Sequence, residues 1–157
     1  MNVDVQVATR SRGAPNVADV QHWAQVALAR AQGLHDVELT IRMVDRAEGA
    51  ALNEQYRGSL GKQGATNVLA FPFEEPAPLP AVATRLLGDV VICAPVVTQE
   101  AHAQGKSRED HWAHLTIHGV LHLLGFDHEL PEDAEVMEGV ERELLAQLGI
   151  ADPYADG

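Results

Sequence analysis

The sequence lacks any run of apolar residues near the ~20 needed to cross a bilayer. Its first residues, MNVDVQVATR, carry Asp4 and no apolar h-region. Neither a membrane span nor a secretory leader is therefore expected. Cysteine is almost missing: Cys93 stands alone, cannot form an internal disulfide and reads as a small buried hydrophobe. Together these features favour a cytoplasmic location. Positive charge is also scarce, with 11 Lys and Arg against 23 Asp and Glu and a net charge of -12. That balance argues against indiscriminate clinging to nucleic acid, so any such role must rest on a local basic site. There are no internal repeats and no composition break, and 157 residues of which 46% are hydrophobic make one domain, 1–157, with a real core.

What is present falls into alternating strands and helices. Val3, Val5 and Val7 alternate with polar neighbours over residues 2 to 8, the period of a half-buried strand. From Val17 to Gln32 the apolar residues Val20, Trp23, Ala24, Ala27, Leu28 and Ala31 form a helical stripe ended by Gly33. A second strand runs from Val37 to Val44 with Val37, Leu39, Ile41 and Met43 on one face, and Asp45 can cap a short helix from Arg46 to Tyr56. The segment GSLGKQGA, Gly58 to Ala65, has no periodicity and reads as a loop. Thr66 to Phe73 is β-rich, and Pro72 confines it to a sheet edge or a strand end. Leu86 to Cys93 reads as a fourth strand, interrupted by Gly88 and by Asp89, whose charge is out of place there without a partner. A short helix from Pro95 to Gln104 follows. Pro131 then opens a last helix to about Leu148, with Val136, Val140, Leu144 and Leu148 in one row. Glu129, Glu132, Asp133 and Glu135 at its start read as a solvated face that favours the helix dipole. The expected fold is α/β (α+β): a small four-stranded mixed sheet packed with about five helices.

The chemistry concentrates in SREDHWAHLTIHGVLHLLGFDH, Ser107 to His128. Ser107 and Asp110 give an S-x-x-D helix start. His118 and His122, four apart on a helix, can aim their imidazoles at one point. Gly125 stands where a helix commonly ends on a residue with positive φ, and the chain can then turn so that His128 approaches the same point. Three neutral imidazoles leave a fourth position open, the mark of catalytic rather than structural zinc. The metal site is thus expected on a helix of the C-terminal half and the turn after it, with one Zn²⁺ per chain.

The same H-x-x-x-H-x-x-G-x-x-H spacing serves a large class of zinc peptidases, where the residue after the first histidine is the general base Glu. Here it is Gly119, which can accept no proton. A rival pair, His114 with His118, has the same four-residue spacing but no Gly-turn third ligand. Otherwise His114 reads as lining the cleft one turn above the metal. Asp127 is either an acceptor orienting a ligand imidazole or a solvated turn residue.

The run HGVLHLLGFDH, preceded in order by LNEQYR, TNVLAFPFE and LGDVVIC and followed by Leu148, Gly149, Asp152, Pro153 and Tyr154, resembles the YbeY family of bacterial ribosomal RNA maturation endoribonucleases. The likeness spans roughly residues 37 to 154. It implies a zinc-dependent, single-strand-specific endoribonuclease of the bacterial cytoplasm, acting in 16S rRNA 3′-end maturation and late 30S quality control. The implied partners are the 16S rRNA precursor and the 30S subunit or its assembly proteins. By the same resemblance His118, His122 and His128 are the metal ligands and part of the catalytic set, and Arg57 of the YR motif joins them in the cleft. One departure is the GSLGKQGA loop, longer than the family's usual link between YR and TNVL.

The implied chemistry agrees with the residues. RNA hydrolysis needs an activated oxygen nucleophile and a cation near the developing phosphate charge, and no glutamate base. Attack by the activated water and removal of the neighbouring 2′-OH proton are both open. Arg57 can hold a phosphate through two parallel N–H bonds, and Arg42, Arg46, Arg57 and Lys62 form a locally basic stretch. Two alternatives are another zinc hydrolase of peptidase type and a non-catalytic ribosome-assembly factor with structural zinc.

Overall fold

The computed structural model describes residues 2–30, 36–57, 67–73, 85–126 and 130–154. In chain order they form β1 (Asn2–Ala8), α1 (Val17–Leu28), β2 (Val37–Val44), α2 (Arg46–Arg57), β3 (Val68–Pro72), β4 (Arg85–Cys93), α3 (Ala94–Gln104), α4 (Arg108–Leu123) and α5 (Pro131–Gln147). The loop expected at Gly58 to Ala65 lies outside the described residues, as does the segment 74–84.

The sheet order is β1-β2-β4-β3. β1 and β4 both run parallel to β2, and β3 pairs antiparallel with β4 along the edge. The sheet is therefore mixed and four-stranded, as the alternation of patterns predicts. Parallel neighbours require a crossover, which α1 supplies between β1 and β2. Pro72 is the last residue of the edge strand β3, where its missing N–H costs no ladder bond.

Alternation along β2 sorts the two faces. Val37, Leu39, Ile41 and Met43 are buried against α1 and α4, together with Val20, Trp23, Ala24, Val90, Ile92, Ile117 and Val120. On the other face Val44, Leu69, Val91 and Cys93 form a smaller cluster with Leu52 of α2. Asp89 is exposed there, in a groove of about 680 Å³ shared with Asp4, Glu38, Thr40 and Phe71. Its charge therefore needs no buried partner. Gly88 next to it has a φ of 138°, and a Cβ would stand 2.2 Å from the Phe71 carbonyl oxygen. The register shift opposite Glu38 and Leu39 thus depends on a residue without a side chain.

α4 is the element the others surround, touching α1, α3, α5, β3 and β4. Ser107 caps its start, accepting from the Asp110 N–H at 3.1 Å, as the S-x-x-D signal predicts. Its end is closed by Gly125, at φ 103°, and by the Phe126 N–H donating to the Leu121 carbonyl at 3.0 Å. One expectation is corrected at α5. Val136 is 59% exposed, and the buried row is Met137, Glu141, Leu144 and Leu145. The row turns about one residue further round than the apolar pattern implies, because its second member is a carboxylate.

Candidate metal centre

From His111 to Leu123 every residue of α4 is buried except His114, His118 and His122. Four-residue spacing places these three in one line down the open stripe of an otherwise buried stretch. The stripe exists because Gly119 lets the helix lie close on the sheet: a Cβ there would meet Val90 Cγ1 at 2.6 Å and Val68 Cγ2 at 3.3 Å. The missing peptidase glutamate thus has a steric counterpart, since even a Cβ at that position would have to displace Val90.

His118 is engaged at both nitrogens. Its Nε2 faces His122 Nε2 at 3.1 Å, with the rings at 79° and their centroids 4.6 Å apart. Its Nδ1 makes a short bond to Glu141 Oε1. Glu141 is a carboxylate with no solvent access on α5, and an ionised carboxylate can only accept. The His118 proton is therefore assigned to Nδ1, and Nε2 turns a lone pair toward His122. Two imidazole nitrogens on one tetrahedral zinc would stand ~3.3 Å apart, given Zn–N bonds of ~2.0–2.1 Å. The observed spacing fits such an ion between them.

Behind this pair lies a closed polar network. The Tyr154 hydroxyl, just beyond α5, donates to Glu141 Oε2 in a short bond. His114 Nε2 lies 3.1 Å from the same hydroxyl and 3.4 Å from Glu141 Oε2. Burial raises the Glu141 carboxyl, but bonds from His114, His118 and Tyr154 outweigh it and hold the group at about 2. Burial and the facing Glu141 anion push the Tyr154 phenol upward. A cavity of about 340 Å³ opens beside His118, lined by Ala134, Met137, Glu138, Glu141 and Tyr154. One turn earlier His111 is buried and bonded to Glu100 at 3.0 Å, which also accepts from Asn67 Nδ2 at 3.1 Å. Burial lowers the His111 imidazole more than Glu100 raises it.

Of the residues singled out in the sequence, the structure brings His114, His118 and His122 together. His128 and Asp127 lie outside the described residues. Arg57 closes α2, and the placement of its side chain is likewise outside them. His114 turns toward Glu141 and Tyr154 with 12% of its side chain exposed. Glu141 is absent from the sequence-derived set. A second grouping is also present: the candidate ligand atoms of His114, His118 and Glu141 all lie within 4.8 Å of one another and could hold a metal.

A four-stranded mixed sheet whose central helix α4 turns its histidines toward a buried carboxylate of α5 defines an α/β protein with a candidate metal centre. The chain belongs to the endoribonuclease YbeY family, whose model matches residues 6–149. A relative of that name from Alkalilimnicola ehrlichii is 53% identical over 158 residues, covering 98% of this chain and 90% of its own. Relatives of the same name from Stenotrophomonas maltophilia, at 52% identity, and Pseudomonas entomophila, at 53%, each cover 99% of this chain and 94% of theirs. The solution structure of TM1509 from Thermotoga maritima has the same fold, with a TM-score of 0.56 at 22% identity, covering 97% of this chain and 99% of that one.

Proposed function

We propose that this chain is a zinc-dependent, single-strand-specific endoribonuclease of 16S rRNA 3′-end maturation and late 30S quality control, acting in the cytoplasm as one catalytic domain over residues 1–157. The observation that carries the metal reading is the His118–His122 pair, whose Nε2 atoms face each other at 3.1 Å. His128 is assigned as the third ligand from the motif, and the names of the relatives support RNA as the substrate. Among the described residues no helix is long and apolar enough to cross a membrane.

Bound zinc would supply a Lewis acid for a phosphate oxygen and an activated water at neutral pH. The chain's own residues do the rest. His118 and His122 fix the ion on a buried, rigid helix. Arg57 binds the scissile phosphate and stabilises the charge that builds on its oxygens. Gly119 leaves no carboxylate at the position of the peptidase general base, directly after the first ligand, which disfavours the peptidase alternative.

Metal-loaded and chelated protein, incubated side by side with single-stranded RNA, duplex RNA and casein, tests this reading. Chelator-sensitive cleavage of the single strand is expected, with little duplex cleavage and none of casein. Arg57→Ala should slow RNA cleavage on the order of a hundredfold at unchanged zinc content, and Arg57→Lys should restore only part of it. Casein hydrolysis that disappears in His118→Ala would move the chain to the peptidase class.

A further inference from the structure

A carboxylate with no solvent access is a costly residue for a helix face that otherwise buries Met137, Leu144 and Leu145, and an apolar side chain there would be cheaper. Glu141 is accommodated there because its oxygens are answered from α4 and from the turn after α5. His118 Nδ1 bonds one of them, and the Tyr154 hydroxyl bonds the other. Because the carboxylate accepts only, it dictates which nitrogen of His118 carries the proton and fixes the plane of the ring. The nitrogen left with a lone pair is the one that faces His122. Tyr154 in turn is set by its own turn, where its N–H donates to Asp152 Oδ1 at 2.8 Å, and by Arg142, whose guanidinium carbon lies 5.4 Å from the centre of its ring.

We propose that Glu141 is the positioning residue of the metal centre and that Tyr154 clamps it, so that the turn after α5 sets how tightly the ion is held. This rests on the reading of His118 and His122 as ligands. The rival arrangement makes Glu141 itself a ligand with His114 and His118. It requires the ion to displace the His118 proton from its bond to Glu141, and it leaves the His118–His122 approach without a purpose.

The test uses full-length protein, stripped and reloaded, with zinc affinity read by competition against a chromogenic chelator and geometry by the visible spectrum of the cobalt form. Glu141→Gln should keep one zinc per chain and an unchanged cobalt band pattern while binding about 10–100-fold more weakly. Tyr154→Phe removes one oxygen, leaves the packing intact and should weaken binding in the same direction by less. In the double variant the two effects should fall short of additive, because Tyr154 acts through Glu141. An altered cobalt spectrum or loss of stoichiometric zinc in folded Glu141→Gln would make Glu141 a ligand and overturn the proposal. Wild-type affinity in Tyr154→Phe overturns the clamp even if Glu141→Gln does not fold. His122→Ala separates the two readings: full zinc occupancy there would remove the ligand assignment on which this inference stands.

Discussion

Gly119 decides more than any other single residue of the site. In the sequence it is the place where a catalytic glutamate is missing, and in the structure it is the point where α4 lies on β3 and β4. Replacing it by alanine gains up to about 1 kcal/mol of helix propensity. It also drives a methyl group to 2.6 Å from Val90 Cγ1, on a β-branched side chain that is fully buried and has little freedom to turn aside. Overpacking costs of about 1–3 kcal/mol outweigh that gain, so Gly119→Ala should lower the free energy of unfolding by about 1–2 kcal/mol. Urea unfolding measures it, and an unchanged midpoint would show that displacing Val90 costs no more than the helix propensity gained. The histidines were legible for a different reason. Spacing alone puts His114, His118 and His122 on one line, and a helix cannot place them otherwise. Glu141 was not legible, because it reaches His118 across a helix pair and no local pattern records that distance.

At the scale of elements, the described strands and helices largely follow the periods written in the sequence, and α1 and α4 start at the side-chain caps Asn16 and Ser107. Ser107 is a case with a measurable value. Its side chain satisfies one of the open N–H groups at the start of α4, so Ser107→Ala should cost about 1 kcal/mol of stability. It should leave zinc stoichiometry unchanged, since the cap lies three turns from His118. A drop in metal content comparable to the drop in stability would mean that the helix end and the metal centre melt together. α5 shows where reading by period fails. Its most regular apolar row runs through Val136, which is exposed, while the buried row contains a glutamate that any hydrophobicity pattern assigns to solvent. Only the donors on α4 and on the turn after α5 make that burial affordable. Those donors become neighbours only after the helices have packed.

At the scale of the whole molecule, the buried network makes stability depend on acid in two stages. His111 has a folded value below its ordinary 6.5, so the unfolded chain binds the proton more readily. Its contribution is present above about pH 6.5 and is lost as pH falls below it. Glu141 is held at about 2 against an ordinary 4.5. Its contribution is intact above pH 4.5 and disappears as pH drops from there toward 2. Metal-stripped protein should therefore show a melting temperature that declines first below pH 6.5 and more steeply below pH 4.5, as followed by circular dichroism. Stripping matters, because protonation of the ligands would add a pH dependence of its own. A melting temperature flat from pH 7 to pH 3 would contradict both assignments.

The enclosure of α4 has a kinetic counterpart. A helix walled in by three other helices and two strands has no partial opening available to it that leaves the rest of the core in place. Its amide protons should be among the slowest to exchange with solvent, released only when the molecule opens as a whole. Tyr154, by contrast, is fixed on a short turn at the periphery, where local opening is easy. The centre is thus built across the extremes of local stability. The proposed ligands His118 and His122 stand on the most enclosed helix, and the hydroxyl behind them stands on a short peripheral turn. Brief opening of that turn is expected to loosen the hold on a bound ion while the helix carrying His118 and His122 keeps its shape.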